Sequence, residues 1–255
     1  VYALAVVLSL AIGLSLGMLG GGGSILTVPI LVYALGVDKK TAITESMVVV
    51  GVTSLVALIG HARAGRVAWR TGLGFGAAGM VGALAGSMVH RYLSGEVLLL
   101  LFGVLMILAA LAMFRVRKEV DPATLPPQAP WRVATDGFAV GVVTGVVGAG
   151  GGFLLVPALT TFGRLPLKTA IGTSLLVIAM NTAAAFLPHL GEPGLDGVLT
   201  AMVTGSAVVG ALIGSALSER VPVATLRKGF GAFVLVMAVF QIGQELVAKG
   251  WLPWR

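Results

Sequence analysis

Two glycine runs mark where this chain could do chemistry: Gly20-Gly21-Gly22-Gly23-Ser24 and Gly148-Ala149-Gly150-Gly151-Gly152, followed by Val28-Pro29 and Val156-Pro157. Bare backbone ahead of a short helix presents unpaired N–H groups and the positive end of the helix dipole, which suits an anion. Neither run is a nucleotide loop, because no Lys-Ser/Thr follows and no strand precedes it. Close helix packing is the competing use of glycine in apolar segments, but it does not call for runs of this length. Gly20, Gly21, Gly22, Gly23, Gly148, Gly150, Gly151 and Gly152 are therefore candidate substrate contacts, with Ser24 as a cap or ligand.

Hydroxyls form the second set. Thr44-Glu45-Ser46 and Gly172-Thr173-Ser174 begin the next apolar segment after each glycine run. Thr44, Ser46, Thr173 and Ser174 could donate to an oxyanion, or simply bond carbonyls of their own helices. Asn181 is a carboxamide inside an apolar span and either binds ligand or bridges helices. Glu45 replaces the Thr173 of the other set. It is read as interfacial beside Lys39 and Lys40, with a buried, proton-coupling carboxyl as the alternative. His61 and His189 are further candidates for proton coupling, with a plain helix-end role as the simpler reading. With no Cys, no Asp/Glu beside the histidines and no nucleophile–base pair, neither a metal, a cofactor nor an enzyme is expected.

The elements that must hold these residues are membrane helices. Of 255 residues 57% are hydrophobic and only 11% charged, with mean hydropathy +1.02, too few polar groups to cover a soluble globule. Charge-free runs at Val1 to Val37, Thr71 to Val89, Val97 to Phe114, Gly137 to Gly163, Thr169 to Gly191 and Gly197 to Ser218 are of membrane-crossing length. They are apolar on every face, unlike the alternating strands of a barrel. The basic excess of +7 lies in short connections without an Arg/aromatic stripe, so the partner is the lipid bilayer and not nucleic acid.

Sliding the sequence by 128 residues superposes its halves: Gly20, Gly22, Gly23, Val28 and Pro29 fall on Gly148, Gly150, Gly151, Val156 and Pro157, and Lys40-Thr41-Ala42-Ile43 falls on Lys168-Thr169-Ala170-Ile171. The chain is a tandem duplication: a first transmembrane repeat over 1–114, a linker over 115–133 with Pro122, Pro126, Pro127 and Pro130 opposing regular structure, and a second repeat over 134–255. Each half reads as one broken segment (2–36; 134–163) and three spanning helices near 42–60, 71–90 and 96–114, repeated near 170–188, 198–217 and 227–247. At ~1.5 Å per residue, 35 helical residues would reach ~50 Å against a ~30 Å hydrocarbon core, so the first segment must fold back. The expected short return helix runs from Val28 to Leu35, with Pro29 in its first turn.

A re-entrant hairpin leaves three net crossings per half and inserts the halves upside down relative to one another. That arrangement gathers twelve Lys/Arg on one side and five on the other; full crossings would divide them nine to eight. The bias puts the central linker in the cytoplasm and the C-terminus outside. The fold class is thus an all-α polytopic membrane protein of two inverted repeats.

The Gly-x-x-Gly-x-Gly-Gly-Gly motif leading to Val-Pro (Gly145 to Pro157, with Gly17 to Pro29 alongside), then Ala-Ile-Gly-Thr-Ser (Ala170 to Ser174), resembles the TauE/SafE family of membrane permeases. The resemblance implies a bacterial inner-membrane transporter of sulfite, sulfonates, thiosulfate or similar small anions. Thr44-Glu45-Ser46 departs from the family's small-Thr-Ser pattern. Alternating access by a carrier is expected; an anion channel and, more remotely, an intramembrane enzyme are the rivals. Oligomeric state is left open.

Overall fold

The computed structural model describes residues 2–90, 92–93, 95–115, 129–147, 152–186 and 196–248. Among these the regular structure is wholly helical. The first half holds α1 (Tyr2–Leu19), α2 (Gly22–Pro29) continued by a π-helical turn (Ile30–Ala34), α3 (Lys39–Arg63), α4 (Trp69–His90) and α5 (Gly95–Phe114). The second holds α6 (Pro130–Val147), α7 (Gly152–Thr161), α8 (Leu167–Phe186), α9 (Gly197–Arg220) and α10 (Val223–Ala248). Five of them, α3, α4, α8, α9 and α10, are long and apolar enough to cross a bilayer. Their outer faces carry Leu84, Met88, Val198, Val236 and Val239 in the open, as lipid contact requires and water would penalise. The chain is a multi-pass membrane protein.

Three expectations need correction. Pro130, expected in the linker, is the first residue of α6, a position where its missing N–H would have had no partner anyway. The return helix starts at Gly22, not Val28, so only Gly20 and Gly21 interrupt the helix. Pro29 closes that helix instead of opening it.

Packing explains the early start. A Cβ on Gly23 would press on the Ile12 carbonyl and the Leu16 side chain, so α2 can fold back along α1 only through glycine. That contact offsets the ~1 kcal/mol per glycine that helix propensity costs. Gly20 makes the reversal in the left-handed region, φ +74°. Pro29 cannot donate to the Ile25 carbonyl, and the chain loosens beyond it into a π turn closed by Leu35 N–H to the Ile30 carbonyl at 3.1 Å.

The halves are packed through each other. The most extensive helix contacts join α1 to α9 and α4 to α6, so that the first helix of each half lies on the fourth helix of the other. Backbones touch there: a Cβ on Gly210 would strike the Leu10 carbonyl, and one on Gly82 the Phe138 carbonyl, the same pair of positions with the halves exchanged. Gly82/Gly86 and Gly210/Gly214, each pair four residues apart on one helix face, thus form the close contacts between backbones. Equivalent helices run in opposite directions where they meet. Gly51 of α3 faces Thr182 of α8 while Gly172 of α8 faces His61 of α3; Gly103 of α5 faces Ile242 of α10 while Gly231 of α10 faces Phe114 of α5. Buried Phe75, Leu159, Leu175 and Val177 centre one apolar core, and Met106, Phe153, Ile171 and Phe230 another.

Candidate functional site

The two short helices meet at their first turns, deep in the bundle. A Cβ built on Gly152 would lie 2.8 Å from Ser24 Oγ and 3.1 Å from Ile178 Cδ1. Ser24 and Gly152 are equivalent positions under the 128-residue repeat, so the duplication's axis of exchange passes between them. Gly21, the N-cap residue of α2, has no side-chain cap and backs onto the carbonyl of Gly152 and the Cα of Phe153, 2.8 Å from where its own Cβ would stand. Gly20 rests on the first turns of α8, against Ser174 Oγ and the Ile171 carbonyl. Gly20, Gly21, Gly22, Gly23, Ser24 and Gly152 are all buried. The arrangement brings two helix starts together behind a wall of glycine, that of α2 without a side-chain cap, with N–H groups as its available donors.

The hydroxyls divide. Ser24 Oγ donates to the Gly21 carbonyl at 2.7 Å and Thr27 Oγ1 to the Gly23 carbonyl at 2.8 Å. Ser46 Oγ donates to the Ile43 carbonyl at 2.6 Å, and Ser174 Oγ to the Ile171 carbonyl at 2.8 Å. In this conformation these serines spend their protons on their own turns, which leaves the backbone as the stronger donor set. Thr173 Oγ1 is turned to another task, accepting from Ala68 N–H at 3.0 Å just ahead of α4. Thr44 is buried beside Glu45 at the opposite end of the bundle from Thr173. Gly22 faces the Phe233 ring and Gly23 faces α1, so both shape the hairpin. Gly148, Gly150, Gly151 and His189 lie outside the described residues.

Asn181 Oδ1 is buried without a partner, and so is Oγ1 of Thr53, its counterpart in the first half. The register of α3 on α8 puts both at the level of the exchange axis. Sequence reading singled out Asn181 but passed over the neighbouring Ser54, whose Oγ is equally buried and unpartnered. A second hydroxyl in the same apolar span was the signal available.

Two titratable residues are placed differently from expectation. Glu45 is fully buried, not interfacial, because the start of α9 closes over the start of α3; Oε1 accepts from Asp196 N–H at 3.3 Å and Oε2 has no partner. His61 is also fully buried. Its Nε2 lies 3.0 Å from the Gly17 carbonyl, an acceptor only, so Nε2 is the donor, and Nδ1 is buried without a hydrogen-bond partner. The interruption at Gly20 frees that carbonyl, and His61 occupies it.

One end of the assembly is tied by charge. Arg66 Nη2 meets Glu219 Oε1 at 2.6 Å, Arg66 Nη1 reaches Ser218 Oγ at 3.4 Å, and Lys168 Nζ donates to the Glu219 carbonyl at 3.0 Å. The loop after α3 is thereby held to the end of α9 and the start of α8. Among the described residues no group of three His, Asp or Glu could hold a metal ion.

The family model for sulfite exporter TauE/SafE matches residues 5–240. A probable membrane transporter protein of Xylella fastidiosa (strain 9a5c) is 36% identical over 238 residues, 91% of each chain. Probable membrane transporter protein YunE of Bacillus subtilis is 24% identical over 274 residues, 98% of each, and one from Haemophilus influenzae is 25% identical over 89% of this chain and 92% of its own. No solved structure matches significantly. With all ten helices wholly or largely inside the matched region, the chain belongs to the sulfite exporter TauE/SafE family and is a membrane transporter.

Proposed function

We propose that this transporter is a secondary carrier of a small sulfur-containing or organic anion, such as sulfite, thiosulfate or a short sulfonate, across the bacterial inner membrane. The observation that carries the reading is the convergence of the first turns of α2 and α7 at Ser24 and Gly152, where buried N–H groups with no side-chain cap at Gly21 offer a charge-selective seat. Asn181, Thr53 and Ser54 supply spare polar atoms nearby in register. The family description and the relatives' names support transport; the anion comes from the chemistry of the seat.

The antiparallel pairing of equivalent helices, α3 with α8 and α5 with α10, supports two halves inserted in opposite senses, with the linker between α5 and α6 cytoplasmic and the C-terminus outside. Alternating access then follows from rocking one half against the other about the seat, with the Arg66–Glu219 tie closing one end. Uptake of sulfite, thiosulfate, methanesulfonate and acetate into proteoliposomes tests the proposal. Saturable flux with counterflow for a sulfur oxyanion is the expected result. Conductance without saturation or counterflow would overturn the carrier in favour of a channel.

A further inference from the structure

The two halves perform the same capping job with different residues. Thr173 Oγ1 accepts from Ala68 N–H in one half; Glu45 Oε1 accepts from Asp196 N–H in the other, and both partners correspond under the 128-residue repeat. One oxygen is enough for that task. Glu45 brings a second, Oε2, that is buried and unpartnered.

The surroundings differ in the same sense. Where the second half sets Leu176 on Gly72 and Met180 on Gly76, the first sets Val48 and Val52 opposite Thr200 and Thr204. The large side chains fill their side; the smaller pairing leaves a groove of about 660 Å³ between α3 and α9. Thr200 Oγ1 and Thr204 Oγ1 line it, both buried and without hydrogen bonds, and Thr200 approaches the Glu45 carboxyl without completing one. Three oxygens thus stand unpaired in one half where the other half has a satisfied threonine and two glycines. A carboxylate in such a place needs a positive partner.

Among the described residues of the neighbouring elements, Asp196 at the head of α9 is the charged residue that touches Glu45. α1 and α2 carry none, the π turn carries only exposed Tyr33, and Lys168 of α8 lies by the Arg66 end. Lys39 and Lys40 occupy the first turn of α3 itself.

We propose that Glu45 Oε2, with Thr200 and Thr204, binds a small monovalent cation, sodium or a proton, that moves together with the anion. The inference rests on the transport reading for its role and on the asymmetry of the halves for its place. A single coupling site is what a duplicated carrier needs if one cation is to accompany one anion.

The substitution Glu45→Thr copies Thr173 and retains the bond to Asp196 N–H while deleting Oε2; Glu45→Gln retains the shape without the charge. In proteoliposomes with labelled sulfite, wild type is expected to concentrate the anion under an inward sodium gradient or an inward proton gradient, each imposed alone, and the effective gradient names the cation. Both variants are expected to keep counterflow and lose all accumulation. Accumulation equal to wild type in Glu45→Thr, or no accumulation by wild type under either gradient, overturns the site. If wild type shows no counterflow with sulfite, thiosulfate or methanesulfonate, the anion reading fails instead. The cation site is then decided in detergent by carbodiimide labelling of Glu45, read by peptide mass. Protection by sodium, or loss of labelling as pH rises, supports it, and labelling indifferent to both overturns it.

Discussion

Replacing Gly21 by alanine tests the seat most directly. At φ −132° the backbone accepts a side chain without strain, so the only consequence is crowding. The new methyl would overlap the Gly152 carbonyl and stand 2.8 Å from Phe153 Cα, both rigid backbone. Carbon atoms rest at ~3.5–4.0 Å, so the two helix starts must part by ~0.7–1.2 Å. An N–H to oxyanion bond of ~2.8 Å stretched by that much passes the ~3.2 Å limit and is lost. Such a charge-assisted bond is worth ~1.5–3 kcal/mol, which converts to ~10- to 150-fold weaker anion affinity. The assay is the concentration dependence of sulfite counterflow, beside thermal unfolding of the purified protein. Gly229→Ala is the control: nothing lies within 4 Å of its Cβ position, so affinity stays unchanged and the helix gains ~0.5–1 kcal/mol. If Gly21→Ala transports with wild-type affinity, the meeting of α2 and α7 does not seat the substrate.

Gly82→Leu and Gly210→Leu should each push apart a backbone-to-backbone contact, lower stability by ~3 kcal/mol or more, and be seen as loss of monodisperse protein in detergent. His61→Leu leaves the Gly17 carbonyl unpaired and should cost ~1–3 kcal/mol in thermal unfolding; His61→Gln, which keeps an N–H donor, should recover part of it. A double-mutant cycle on Arg66→Ala and Glu219→Ala should return a coupling below ~1 kcal/mol, falling further in 1 M salt, since the Glu219 side chain is 54% exposed.

Much of the fold was legible in the residues because membrane helices announce themselves by continuous apolarity and because a duplication reads everything twice. The expected spans near 42–60 and 198–217 fall inside α3 and α9. What escaped depended on partners distant in sequence. The start of α2 at Gly22 is decided by Ile12 and Leu16 across the hairpin, which propensity alone does not see. Glu45 looked interfacial from its lysine neighbours, and only the placement of Asp196 over it makes it buried. His61 gave no hint of Gly17, because the free carbonyl exists only once the helix has broken at Gly20. The glycine pairs Gly82/Gly86 and Gly210/Gly214 signalled close approach, but spacing does not say that α6 and α1 are what approach.

That exchange of first segments has a biosynthetic consequence. Gly13 finds its neighbour Ala207 only after nearly the whole polypeptide has left the ribosome, which at ~5–20 residues per second is ~10–40 s of waiting in the lipid with a bare glycine stripe. Neither half expressed by itself has a surface on which to lay that stripe. Two separately translated halves could still clasp one another, as two copies of an undoubled ancestor would have done before fusion.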